Sequence, residues 1–102
     1  MGSTRPAARI GEIAPGKTKR VEIGDEPILI CNVGGTFYAI EDTCTHDGGE
    51  LGQSELEDCR IMCPRHGAYF DVTTGAALTF PAVIPVRTYA VRIEGDAIFI
   101  EG

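Results

Sequence analysis

Two short runs in this chain carry residue types that bind metals: Cys44-Thr45-His46 and Cys63-Pro64-Arg65-His66. Each offers one thiolate and one imidazole. Sixteen residues separate His46 from Cys63. The chain has only two histidines, and each follows a cysteine by two or three positions. A single free cysteine is often just a small buried apolar residue. Two matched Cys/His pairs in one region point instead to a metal centre. Asp47-Gly48-Gly49 and Gly67 follow the two runs. Glycine tolerates unusual backbone angles, so amides there can come close enough to bond inorganic sulfides. A Cys₂His₂ set also suits tetrahedral zinc. In the common zinc finger, however, the two cysteines share one knuckle and the two histidines share one helix. Here each loop supplies one of each and no helix follows. That division suits a binuclear cluster, with two thiolates on one iron and two imidazoles on the other.

The elements that must position these loops read as strands. No stretch shows a sustained helical period. Lys19, Val21 and Ile23 share one face of a strand, with Arg20 and Glu22 on the other. Pro27-Ile28-Leu29-Ile30-Cys31-Asn32-Val33 is a short apolar run of buried-strand type. Gly34-Gly35 and Thr36-Phe37-Tyr38-Ala39-Ile40 follow, a strong hairpin signal. Thr88–Ile93 and Ala97–Ile100 flank Glu94-Gly95-Asp96 as a second hairpin. The spacing predicts an all-β antiparallel sandwich or barrel. Between the hairpins, residues 42–85 are rich in Gly, Pro and polar types, with brief strand-like pieces at Glu55-Leu56 and Arg60-Ile61-Met62. Loops that long are uncommon without a function. Something other than apolar packing is expected to order this stretch.

Composition narrows the class. At 102 residues the chain is expected to be a single domain, 1–102, with an inserted subdomain over about 42–85. Lys plus Arg is 9 and Asp plus Glu is 15, a net charge of −6. An acidic chain is a poor nucleic-acid partner, because phosphate binding needs clustered cations. No apolar run approaches the roughly 18 residues of a membrane span. MGSTRPAARI carries no apolar signal core. The expected compartment is cytoplasmic and reducing, where such cysteines mean metal or catalysis more often than disulfides.

The paired motif C-T-H…C-P-x-H-G resembles that of Rieske [2Fe–2S] proteins. The match runs on through Gly67-Ala68-Tyr69-Phe70-Asp71 and Thr74-Gly75, and with the β pattern it covers most of the chain. The resemblance implies a Rieske-type iron–sulfur fold with an inserted cluster-binding subdomain. Cys44 and Cys63 would ligate one iron, and His46 and His66 the other. Pro81-Ala82 would belong to a loop covering the cluster from a third side. Rieske proteins of respiratory and photosynthetic complexes carry two extra cysteines that join the cluster loops. Gly49 and Arg65 stand at those positions here, while Cys31 and Cys59 lie elsewhere.

These departures point to the ferredoxin components of bacterial aromatic ring-hydroxylating dioxygenase systems. Such proteins carry single electrons from an NAD(P)H-dependent flavoprotein reductase to a terminal oxygenase. The chain has no Gly-rich dinucleotide fingerprint and no mononuclear-iron domain. It is therefore expected to be an electron carrier, monomeric and not itself an enzyme. The alternatives are a structural zinc-binding domain, or a Rieske-like accessory or regulatory subunit of the nitrite reductase small-subunit type.

High-potential members of the family place a Ser after the second His-Gly and a Tyr two residues later, both bonding to sulfurs. Here the matching residues are Ala68 and Phe70, which donate nothing. Two ferric irons, two sulfides, two thiolates and two neutral imidazoles sum to zero, and reduction makes the site −1. Without the two hydroxyls that added charge is less stabilised. A midpoint of roughly −200 to −50 mV is expected, falling further at alkaline pH as imidazole protons couple to the electron. Redox titration followed by EPR checks this. A midpoint above about +100 mV would contradict it.

Overall fold

The computed structural model describes residues 6–43, 50–64, 67–80 and 84–101. Six strands, β1 (Ala8–Arg9), β2 (Thr18–Ile23), β3 (Glu26–Val33), β4 (Thr36–Glu41), β8 (Thr88–Glu94) and β9 (Ala97–Glu101), build a nearly closed, barrel-like sheet. Their order is β1-β9-β8-β4-β3-β2, and each neighbouring pair is antiparallel. A second sheet of three short strands, β5 (Leu56–Glu57), β6 (Arg60–Met62) and β7 (Tyr69–Asp71), falls within the stretch between the two hairpins. The chain thus has the all-β architecture expected from its alternation and turn signals. The β3–β4 hairpin turns on Gly34 and Gly35, with φ of 59° and 98°. Two consecutive positive φ values match the strand twist and leave glycine as the easy choice.

The unbroken apolar run of β3 has a structural cause. Successive side chains of a strand point to opposite faces. Ile28 and Ile30 enter one core with Ala8, Ile13, Ala39, Tyr89, Ile98 and Ile100. Leu29 and Cys31 enter another with Ile40, Leu51, Ile61, Phe70 and Val72. The hairpin is therefore a wall between two cores: the barrel interior and the seat of the small sheet. Strand β1 is too short to leave a periodic signal. The Ala7 amide ties it to the Ile98 carbonyl at 2.7 Å, and the backbone of Ala8 pairs opposite Ile98.

Behind β7 the chain turns sharply at Gly75, whose φ is +82°. Its amide donates to the Asp71 carbonyl at 2.6 Å, and its own carbonyl accepts from the Val86 amide at 2.8 Å. A Cβ there would lie 2.4 Å from the Val86 carbonyl oxygen and 2.9 Å from Thr88 Cγ2. Gly34 has a similar φ but nothing within 4 Å. Placing alanine in the left-handed region costs about 1–3 kcal/mol. In urea denaturation Gly34→Ala should lose about that much, and Gly75→Ala clearly more because backbone must also move. Equal losses for the two variants would show that the Gly75–Val86 approach is not a constraint.

Candidate metal centre

Strand β6 delivers Cys63 to the site. The Cys63 amide donates to the Ala68 carbonyl at 2.6 Å, and its carbonyl accepts from the Gly67 amide at 2.9 Å. Gly67 has φ +77°, a value that an L side chain adopts only with strain. These two bonds close the connection from β6 to β7 and hold Cys63 at 0% exposure. Its surroundings are the apolar side chains of the second core. A sulfur ligand on such a wall meets little competition from water.

Cys44, His46, His66, Pro81 and Ala82 lie outside the described residues. Described residues within a few positions of each segment share one core. Leu51 follows segment 44–49 closely, Cys63 and Ala68 bracket 65–66, and Val86 follows 81–83. All four are buried in one cluster. The chain that follows 65–66 is tied to the chain that precedes 81–83: the Leu78 amide donates to the Tyr69 carbonyl at 2.8 Å, and the Tyr69 amide to Thr79 Oγ1 at 2.9 Å. Cys63, the implied donor among the described residues, suits a [2Fe–2S] group: its thiol is buried in an apolar wall, and a left-handed glycine stands beside it.

The hydroxyl question is answered by the pleat of β7. Ala68 and Phe70 are fully buried and offer no side-chain donor. Tyr69 faces the other way, as alternation requires. Its hydroxyl donates to Glu57 Oε2 at 3.0 Å, and Arg60 stacks 4.6 Å from the ring centroid. The hydrogen bond to the Glu57 carboxylate pushes the Tyr69 phenol above its ordinary range. That hydroxyl is committed to the outer face of the small sheet.

Cys31 and Cys59 are free thiols, not joined to each other. Burial in the second core, with the Asp42 charge adding to it, pushes the Cys31 thiol up to about 12. Cys59 sits half-buried in the β5–β6 turn beside Asp58, which has φ 55°. Sequence reasoning passed over a different group. Asp42 is fully buried; Arg20 and the Gly52 amide meet it, and Arg20 also reaches Glu50. The only sequence signal was an acidic residue two positions before Cys44.

Comparison with known proteins identifies the family. The Rieske [2Fe-2S] domain family matches residues 3–90. The ferredoxin component of biphenyl 2,3-dioxygenase from Rhodococcus jostii (strain RHA1) is 47% identical over 91 residues, covering 89% of this chain and 85% of the relative. The solved ferredoxin of carbazole 1,9a-dioxygenase from Nocardioides aromaticivorans IC177 superposes with a TM-score of 0.92 at 28% identity, covering 99% and 97% of the two chains. A chain of a solved complex of reduced oxygenase and oxidised ferredoxin in carbazole 1,9a-dioxygenase gives 0.90 at 33% identity, covering 95% and 91%. These likenesses decide between zinc and a binuclear cluster in favour of the cluster. The chain belongs to the Rieske [2Fe–2S] family, and its cofactor is a Rieske-type [2Fe–2S] cluster.

Proposed function

We propose that this chain is the ferredoxin component of an aromatic ring-hydroxylating dioxygenase system, working as a monomer in the cytoplasm. It takes single electrons from an NAD(P)H-dependent flavoprotein reductase and hands them to a terminal oxygenase. Cys44 and Cys63 hold one iron, and His46 and His66 the other. Residues 42–85 act as the cluster-binding subdomain of a single-domain chain. The bound cluster supplies a reversible one-electron couple. The observation that supports this reading is that Leu51, Cys63, Ala68 and Val86, each within three positions of one of the three implied cluster loops, are buried in one core.

The chain's own residues do the rest. The buried wall of Ile61, Phe70 and Leu51 keeps water from the thiolate side. Ala68 and Phe70 withhold hydrogen bonds and so keep the potential low. No helix of the described residues is long and apolar enough to cross a membrane. Around the third loop, Leu78, Phe80 and Ile84 are exposed, Phe80 by 84%. Apolar side chains beside segment 81–83 give a partner a small dry patch through which to reach the metal. A patch of that size favours brief encounters over stable complexes, as electron carriers need.

Reconstitution with a purified flavoprotein reductase and terminal oxygenase of the biphenyl type tests the assignment. The native chain should support NADH-driven turnover, and Phe80→Asp should slow electron delivery to the oxygenase by about tenfold or more. Its midpoint potential and visible spectrum should not change. Wild-type delivery rates in Phe80→Asp would remove this patch from the encounter. Failure of the native chain to couple any such reductase and oxygenase would overturn the carrier role.

A further inference from the structure

Arg20 occupies a position that its strand makes significant. On β2 it pairs opposite Leu29, which pairs opposite Ile40 on β4. Leu29 and Ile40 belong to the second core. Arg20 therefore projects from the face of the wall that carries the small sheet and the cluster loops. Its guanidinium meets three carboxylates. Nη1 lies 2.9 Å from Glu50 Oε2, Nε 3.5 Å from Asp42 Oδ2, and Nη2 3.6 Å from Glu22 Oε2.

Two of those partners stand on either side of segment 44–49. Asp42 is fixed from several directions. Its amide donates to the Pro27 carbonyl at 3.0 Å, and its Oδ1 accepts from the Gly52 amide at 2.7 Å. Gly52 leaves little room for a side chain: a Cβ there would lie 3.0 Å from Leu29 Cδ1 and 3.2 Å from Asp42 Oδ2. The Asp42 side chain is 0% exposed. Its Oδ2 accepts no hydrogen bond among the described residues, and among them Arg20 is the cation beside it, at 3.5 Å. Without that cation three carboxylates would face one another, and a buried one would lack a counter-charge. Those forces separate the two ends of the segment.

We propose that Arg20 is a positioning residue for the cluster. It clasps Asp42 to Glu50 and so fixes the spacing of the two ends of the segment that carries Cys44 and His46. This rests on the reading of Cys44 and His46 as ligands. The fork geometry matters, because the guanidinium presents several donors in one plane to separate carboxylates, which a lysine ammonium does less well.

The test is the rate at which an excess of a ferrous chelator strips iron from the oxidised, fully loaded protein. The rate of global unfolding in urea is measured in parallel. Arg20→Gln should release iron about tenfold faster than wild type. Glu50→Gln, at the exposed end of the clasp, should release it about threefold faster with an unchanged unfolding rate. Arg20→Lys, which keeps the charge but not the fork, should fall between Arg20→Gln and wild type. Arg9→Gln breaks an exposed ion pair with Asp96 on the opposite hairpin and should change nothing. Wild-type release from both Arg20→Gln and Glu50→Gln overturns the clasp, as does release that merely follows global unfolding. His46→Ala separates the two claims: a variant that keeps the native spectrum overturns the ligand reading and the clasp with it. Loss of the spectrum in His46→Ala beside wild-type release in the clasp variants overturns the clasp alone.

Discussion

The structure depends on a strand pair that is apolar on both faces. Strand β3 cannot be half-solvated, because Ile28 and Ile30 fill the barrel while Leu29 and Cys31 meet the small sheet. Burying both faces of one strand gives each core a rigid wall. A three-stranded sheet of two or three residues per strand has too little surface to fold alone. It becomes ordered by packing Ile61 and Phe70 on that wall. The buried Cys63 then follows directly on an element that this wall holds in place.

Cluster chemistry asks for a site that hardly moves when one electron is added. Backbone hydrogen bonds at Cys63, the crowded turn at Gly75 and the ties from Tyr69 to residues 78–79 all act on connections between short strands. Each removes freedom from a loop whose side chains alone would not order it. Ala68 and Phe70, buried in the same core, offer no side-chain hydrogen-bond donor.

Much of this was legible in the sequence, for identifiable reasons. Gly34-Gly35 and Gly95 announced their hairpins because positive φ is a local demand. The run 27–33 read as buried because apolar side chains on both faces have no other use in a short strand. Tyr69 and Phe70 were separable by alternation alone. Strand β1 was not legible, since two residues carry no period and its place depends on the Ile98 backbone ninety positions away in sequence. The network around Asp42 was hidden for the same reason. Arg20 on an alternating strand looks like a solvated face until the register places it opposite Leu29 and within reach of Asp42 and Glu50.

The central claim is that thiolates and imidazoles share one cluster. The most direct measurement is pulsed EPR of the dithionite-reduced protein, prepared with natural-abundance histidine and again with ¹⁵N-histidine. Mixed ligation predicts strong couplings to two directly bound imidazole nitrogens that change with the label. A reduced cluster without nitrogen coupling, or a colourless protein with no reduced-state signal, would contradict the account.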